Sequence, residues 1–320
     1  MAVAAAARPV SNAIGPSGLG LGGVLEDLVR QHRPASMLGS VPQSIPHLAG
    51  ADFRSFGIAV AMVSGEVFSA GDAAVPFSIQ SISKVFSLAL ALGHEGGPEL
   101  WSRVHREPSG TAFNSLVQLD AEGGIPRNPF INAGALVVTD HLIDAFGDAS
   151  EEVLRLLASP SGRGAVNTEA VQSELSRSER NFALAHFLAD LGNLRNPPAA
   201  VVRHYVRQCS IEMSCNDVAL AGLFLANDGV GPTGQRVVSP SVAKRIGAVM
   251  LTCGMYDAAG EFAYRVGLPS KSGVGGGILT IVPGVGSVCV WSPRLDAHGN
   301  SLAGASALAE LSDRTGWSIF

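Results

Sequence analysis

The sequence predicts an α+β fold: an antiparallel sheet built from both ends of the chain, flanked by helices, with a mostly helical middle. Three observations carry this. Short apolar runs with strand character occur near the start and return near the end, whereas residues between about 76 and 254 place their apolar side chains at helical spacing. Hydrophobic residues make up 47% of the 320, ample for a sizeable core. Residues 24–320 therefore read as one domain, with sheet parts at about 24–75 and 255–320 and a helical part at about 76–254, behind a flexible arm over 1–23.

Taken in order, residues 1–23 are rich in Ala, Gly, Pro and Ser. Gly18-Leu19-Gly20-Leu21-Gly22-Gly23 spells a dinucleotide-binding Gly-x-Gly-x-x-Gly, yet no strand precedes it and no acidic residue follows at the required interval. A helix is expected over about 24–32, then a Pro- and Ser-rich loop through Gly50. Runs 57–63 and 66–70, joined at Ser64-Gly65, form a hairpin. The helix carrying Ser81 runs to about His94 and stops at Gly96-Gly97-Pro98. Helical spacing then marks 133–145, 151–158, 181–191, 199–208, 216–226 and 241–251, with Ser159-Pro160-Ser161-Gly162 among the loops. Strand patterns return at 277–282 and 286–291 around Pro283-Gly284-Val285, and a last helix spans about 302–311.

A net charge of −5 with 15% charged residues argues against a nucleic-acid partner, which needs clustered Lys and Arg. No uninterrupted apolar run approaches the roughly 18 residues of a membrane span. The apolar start, 1–7, lacks a basic region ahead of it, so a secretory signal is not expected. Cys209, Cys215, Cys253 and Cys289 form no Cys-x-x-Cys pair and read as reduced core thiols. Together these place the protein in the cytoplasm. The eight histidines are scattered without a His-x-x-x-His spacing, so neither a metal nor another cofactor is expected.

The chemical centre is Pro76-Phe77-Ser78-Ile79-Gln80-Ser81-Ile82-Ser83-Lys84-Val85-Phe86. Phe77, Gln80, Ser81, Lys84, Val85 and Leu88 fall at helical spacing, which puts hydroxyl and amine on one face. A serine attacks at neutral pH only if a neighbour takes its proton, and a lysine does so only when neutral. That requires the amine's pKa to fall by roughly 3 units from about 10.4, through burial and nearby positive charge. The apolar flanks Phe77, Ile79, Ile82, Val85 and Phe86 favour such burial. A second Ser-x-x-Lys, Ser241-Val242-Ala243-Lys244, follows Ser239-Pro240 and reads as a capped helix start with Lys244 on a solvated face.

Other candidates keep two readings each. Lys271-Ser272-Gly273-Val274-Gly275-Gly276-Gly277 precedes a strand and offers either a backbone oxyanion donor or a strand-entry bulge with an exposed lysine. Tyr256, in Cys253-Gly254-Met255-Tyr256-Asp257, either relays a proton or simply packs its ring. Asn132 and Asn181 read as binding groups or as helix caps, and Glu174 by itself reads as a solvated helix charge.

Collinear segments at 71–87, 107–119, 126–139, 172–182, 205–212, 253–257 and 267–278 resemble the serine-dependent glutaminase family over about 24–310. That resemblance implies the β-lactamase and DD-peptidase-like fold and hydrolysis of L-glutamine to L-glutamate and ammonia. It implies that Ser81 attacks the side-chain amide, with Lys84 as base and Tyr256 assisting proton transfer to departing ammonia. The backbone N–H of Val274 would join that of Ser81 in an oxyanion hole, and Asn132, Glu174, Asn181 and Tyr205 match substrate-binding positions. A homo-oligomer, dimer or tetramer, is implied as well.

One position departs from the family pattern. Gly39-Ser40-Val41-Pro42-Gln43-Ser44-Ile45-Pro46-His47-Leu48 places Ser44 where the family has a pocket tyrosine, so weaker activity, or glutamine binding without turnover, is an alternative. The other is a penicillin-recognising serine hydrolase, since Lys-Ser-Gly and Ser214-Cys215-Asn216 spell that class's motifs; against it, Ser214 reads as a helix cap.

Overall fold

The computed structural model describes residues 20–41, 48, 50, 52–95, 97–157 and 164–320. The chain runs through α1 (Leu21–His32), β1 (Gly57–Met62), β2 (Val67–Gly71) and β3 (Phe77–Ser78). Five helices follow: α2 (Ser83–Glu95), α3 (Pro98–Arg103), α4 (Leu116–Ala121), α5 (Asn132–Phe146) and α6 (Ala149–Leu157). Next come β4 (Ala165–Val166), α7 (Thr168–Leu175), α8 (Glu179–Asp190), α9 (Pro198–Cys209), β5 (Ile211–Met213), α10 (Cys215–Ala226) and α11 (Pro240–Cys253). The chain closes with α12 (Ala259–Val266), β6 (Ser270–Ser272), β7 (Gly277–Val282), β8 (Gly286–Trp291) and α13 (Leu302–Thr315).

A five-stranded antiparallel sheet in the order β2-β1-β8-β7-β6 joins the two ends of the chain, as expected, with Val60 opposite Val288 and Ile278 opposite Val290. Strands β1, β7 and β8 are buried at every residue because both faces are covered, which is why they read as continuous apolar runs. Alternate side chains serve two cores. Ile58, Val60, Val288 and Val290 pack with Leu25, Leu28, Leu308 and Leu311 of the terminal helices, while Ala59, Ala61, Leu279 and Cys289 face the helical part. The small alanines let α10 sit close, and Gly222 of that helix has no room for a Cβ, which would lie 2.7 Å from Leu279 Cδ1.

Several expectations are corrected. The first helix begins at Leu21 rather than Val24, inside the arm expected over 1–23. Phe77 lies in β3, and Gln80–Ile82 form a 3₁₀ turn, so the α-helix begins only at Ser83. The helical middle also contains a small sheet, β3-β5-β4, whose strands of two or three residues are too short for period-two patterning to reveal. Lys271 lies in β6 rather than in an exposed bulge, and it is fully buried. Asn181 lies inside α8, whose N-cap is Ser178, so it is not a cap. Ser214 does cap α10, through a reciprocal capping box with Asp217, and Ser239 caps α11 with Lys244 exposed. The 159–162 loop and Ser44 lie outside the described residues.

Candidate active site

The sheet's β6–β7 end meets the helical part at Ser81. The 3₁₀ turn that carries Ser81 requires Gln80 to adopt φ +48°, and Tyr256 stands at φ +56°; these are two of the three non-glycine positive-φ residues among those described. Such backbone costs about 1–3 kcal/mol each and persists where surroundings over-determine it. The turn between β6 and β7 is pressed against the same segment. A Cβ at Gly273 would lie 2.5 Å from Ile79 O, and one at Gly275 would lie 2.1 Å from Ser78 O, so only glycines bring Val274 this close to the serine.

Ser81, Asn132, Glu174, Asn181, Tyr205 and Val274 line one cavity of about 260 Å³. The fold brings these six predicted residues together from the 3₁₀ turn, α5, α7, α8, α9 and the β6–β7 turn. Lys84 and Tyr256 stand behind that wall. The Tyr256 hydroxyl donates to Ser272 O at 3.1 Å, and the nearby Ser81 hydroxyl acts to lower its pKa. Burial pushes the Tyr256 phenol above its ordinary pKa, so it is held protonated.

Lys84, one helical turn beyond Ser81, is buried among apolar neighbours and donates to Phe130 O at 3.1 Å and Asn132 Oδ1 at 2.8 Å. Burial lowers its pKa from 10.5 to about 8, against the opposing pull of Cys209 and Glu174. Two acceptors match the two N–H bonds of a neutral amine, leaving its lone pair unspent. Asn132 is fixed in turn by Asn181, whose Oδ1 accepts from Nδ2 at 3.0 Å, and by the Tyr205 hydroxyl, which donates to Oδ1 at 3.1 Å. Upstream, Asn128 Oδ1 accepts from the N–H groups of Phe130 and Ile131, setting the carbonyl that Lys84 uses.

Glu174 is buried, not solvated, and desolvation raises its pKa from 4.5 to about 7, while the Gln80 amide, 3.2 Å from Oε2, and Lys84 oppose the rise. The Cys209 thiol is pushed up to about 12 by burial and so stays protonated. Among the described residues, no group of three or more His, Cys, Asp or Glu side chains is placed to hold a metal ion, and no helix is long and apolar enough to cross a membrane.

Sequence reasoning assigned no role to Gln80, Phe113, Arg177 or Arg180, all of which line the cavity. Gln80 carried a signal, being a polar residue beside Ser81 in an apolar run; the two arginines, in a polar helix-to-helix corner, carried none.

A family model of glutaminases matches residues 39–320. A glutaminase of Paraburkholderia phytofirmans is 53% identical over 300 residues, covering 93% of this chain and 98% of its own. One of Streptomyces coelicolor is 53% identical over 299 residues, covering 93% and 97%. Among solved structures, a probable glutaminase from Bacillus subtilis complexed with 6-diazo-5-oxo-L-norleucine matches with a TM-score of 0.84 at 34% identity, over 93% of this chain and 97% of that one.

Proposed function

The chain belongs to the glutaminase family, with its β-lactamase-like fold, and from that premise we propose that it hydrolyses L-glutamine through a γ-glutamyl ester on Ser81. It is an amidohydrolase, and the penicillin-recognising alternative is not favoured. The Ser81 oxygen attacks the side-chain amide carbon while Lys84 accepts the hydroxyl proton. The carbonyl oxygen, now negative, receives the N–H groups of Ser81 and Val274. As the C–N bond breaks, the proton held by Lys84 passes through Tyr256 to the amide nitrogen, which leaves as ammonia, and the amine is neutral again. Water then attacks the ester with Lys84 again as base, releasing glutamate and restoring the serine.

Asn132, Asn181, Tyr205 and Glu174 hold the amino-acid end of the substrate, with Glu174 facing the α-ammonium group. A substrate lacking that end leaves these buried groups unpaired, which gives large discrimination, whereas asparagine, one methylene shorter, is disfavoured by only about 1–3 kcal/mol.

The observation that carries this reading is the Lys84 amine: buried, brought down to about 8, and with both N–H bonds of its neutral form occupied one turn from a serine that lines the cavity. Ammonia release from glutamine by the parent, Ser81→Ala and Lys84→Ala tests it. Both variants fall by about 10²-fold or more, and 6-diazo-5-oxo-L-norleucine adds mass to the Ser81 peptide of the parent only. A Ser81→Ala protein that retains parental turnover refutes the acyl-enzyme.

The four cysteines are buried and unpaired, in keeping with a reducing, cytoplasmic location, and a dimer or tetramer belongs to the same reading. Sedimentation analysis reads out the latter.

A further inference from the structure

Lys271 is a buried amine that the proposed reaction does not use. It stands at 0% exposure in the middle of β6, paired with Leu279 of β7. Its Nζ donates to Gly254 O at 3.1 Å and to Ser272 O at 2.5 Å, and lies 4.4 Å from the centroid of the Tyr256 ring. Gly254 is the C-cap of α11, so the amine sits at the carbonyl end of a helix, while burial and the neighbouring Lys84 hold its pKa well below the ordinary lysine value.

Neither carbonyl requires the lysine. Gly254 O already accepts from the Ser272 N–H at 3.1 Å, and Ser272 O already accepts from the Tyr256 hydroxyl at 3.1 Å. Packing does not require it either, because an apolar side chain of similar length fills the space without the cost of burying an amine. What the amine does uniquely is join three pieces: the ring of Tyr256, the carbonyl to which that tyrosine's hydroxyl is bound, and the end of α11. Two residues beyond that carbonyl is Val274.

We propose that Lys271 is a positioning residue, clamping the Tyr256 ring and the Ser272 carbonyl so that phenol and Val274 N–H meet the reacting amide together. This rests on the reading of Ser81, Tyr256 and Val274 given above. The clamp acts on groups placed around the amide rather than around the amino-acid end of the substrate. Its loss therefore lowers kcat and spares KM.

The test compares Lys271→Met and Lys271→Arg with the parent and Ser81→Ala, each checked for folding by circular dichroism. Lys271→Met is expected to lose about 10²-fold in kcat, the scale of a misplacement near 1 Å, with KM within threefold and Lys271→Arg recovering part of the loss. A folded Lys271→Met with kcat within threefold of the parent overturns the proposal, as does a loss confined to KM. If Lys271→Met does not fold, Lys271→Gln takes its place under the same criteria. Failure of the clamp stays distinct from failure of the acyl-enzyme: in the first, Ser81→Ala is dead while the Lys271 variants are active; in the second, Ser81→Ala itself turns over glutamine.

Discussion

Asn132 holds Lys84: its side-chain oxygen accepts from the amine at 2.8 Å, while its amide group is tied to Asn181 and its oxygen also to Tyr205. An amide oxygen there satisfies the amine without favouring its protonated form as a carboxylate would. Asn132→Asp, nearly identical in shape, places a negative charge against Lys84 and raises its pKa by about 1–3 units. Parental activity should rise with pH through about 8 as the amine loses its proton. In Asn132→Asp the rising limb of the kcat profile moves to higher pH and turnover at pH 7 falls at least tenfold; an unmoved limb rules Lys84 out as the base.

Glu174 predicts a dependence of stability on pH. Its folded pKa is raised from 4.5 to about 7, so the folded protein binds the proton more tightly than the unfolded chain. The contribution is fully present below 4.5 and is lost as pH rises through 7, a span worth on the order of 3 kcal/mol. Urea melts at several pH values should show this decline in the parent, and Glu174→Gln should flatten it. Saturating glutamine, whose ammonium favours the ionised carboxylate, is expected to offset the decline in the parent.

Arg103 and Asp140 form an ion pair between α3 and α5, both side chains nearly inaccessible. Asp140 also accepts from the N–H groups of Arg195 and Asn196. Arg103→Met leaves that carboxylate without its cation and is expected to destabilise the fold by about 3 kcal/mol or more. Denaturant melts measure the loss, and turnover per folded molecule at low temperature should match the parent.

Ser44→Tyr supplies the phenol that the resemblance to glutaminases implies at that position. A regained hydrogen bond is worth about 1–3 kcal/mol, so kcat/KM for glutamine should increase by roughly one or two orders of magnitude. A Ser44→Tyr protein no faster than the parent would mean that the serine costs nothing.

Much of this was legible because distinct signals marked it. The β7 and β8 boundaries followed from apolar runs punctuated by Pro283-Gly284, and the α10 and α11 starts from Ser214 and Ser239, whose hydroxyls cap as their positions demand. Phe77 misled because its spacing from Ser81 fits a helix, whereas the strained turn at Gln80 interrupts the chain between them. Lys271 misled because lysine is the residue least often fully buried, and only the folded arrangement reveals the two carbonyls and the ring that receive it. Glu174 gave no warning for the same reason: helical periodicity reports which face is apolar, not which charge is drawn inward by a neighbouring amide.

Strand β1 pairs along its length with β8, residues made well before their partners. During synthesis the first hairpin must wait, one edge unfilled, until the helical part has been laid down and its partner emerges. The turn bearing Val274 sits against Ser81 only once that later hairpin docks, so a nascent chain that has not yet made β8 lacks one wall of the cavity. A truncated product ending before β8 is correspondingly expected to be inert and prone to associate through its open edge.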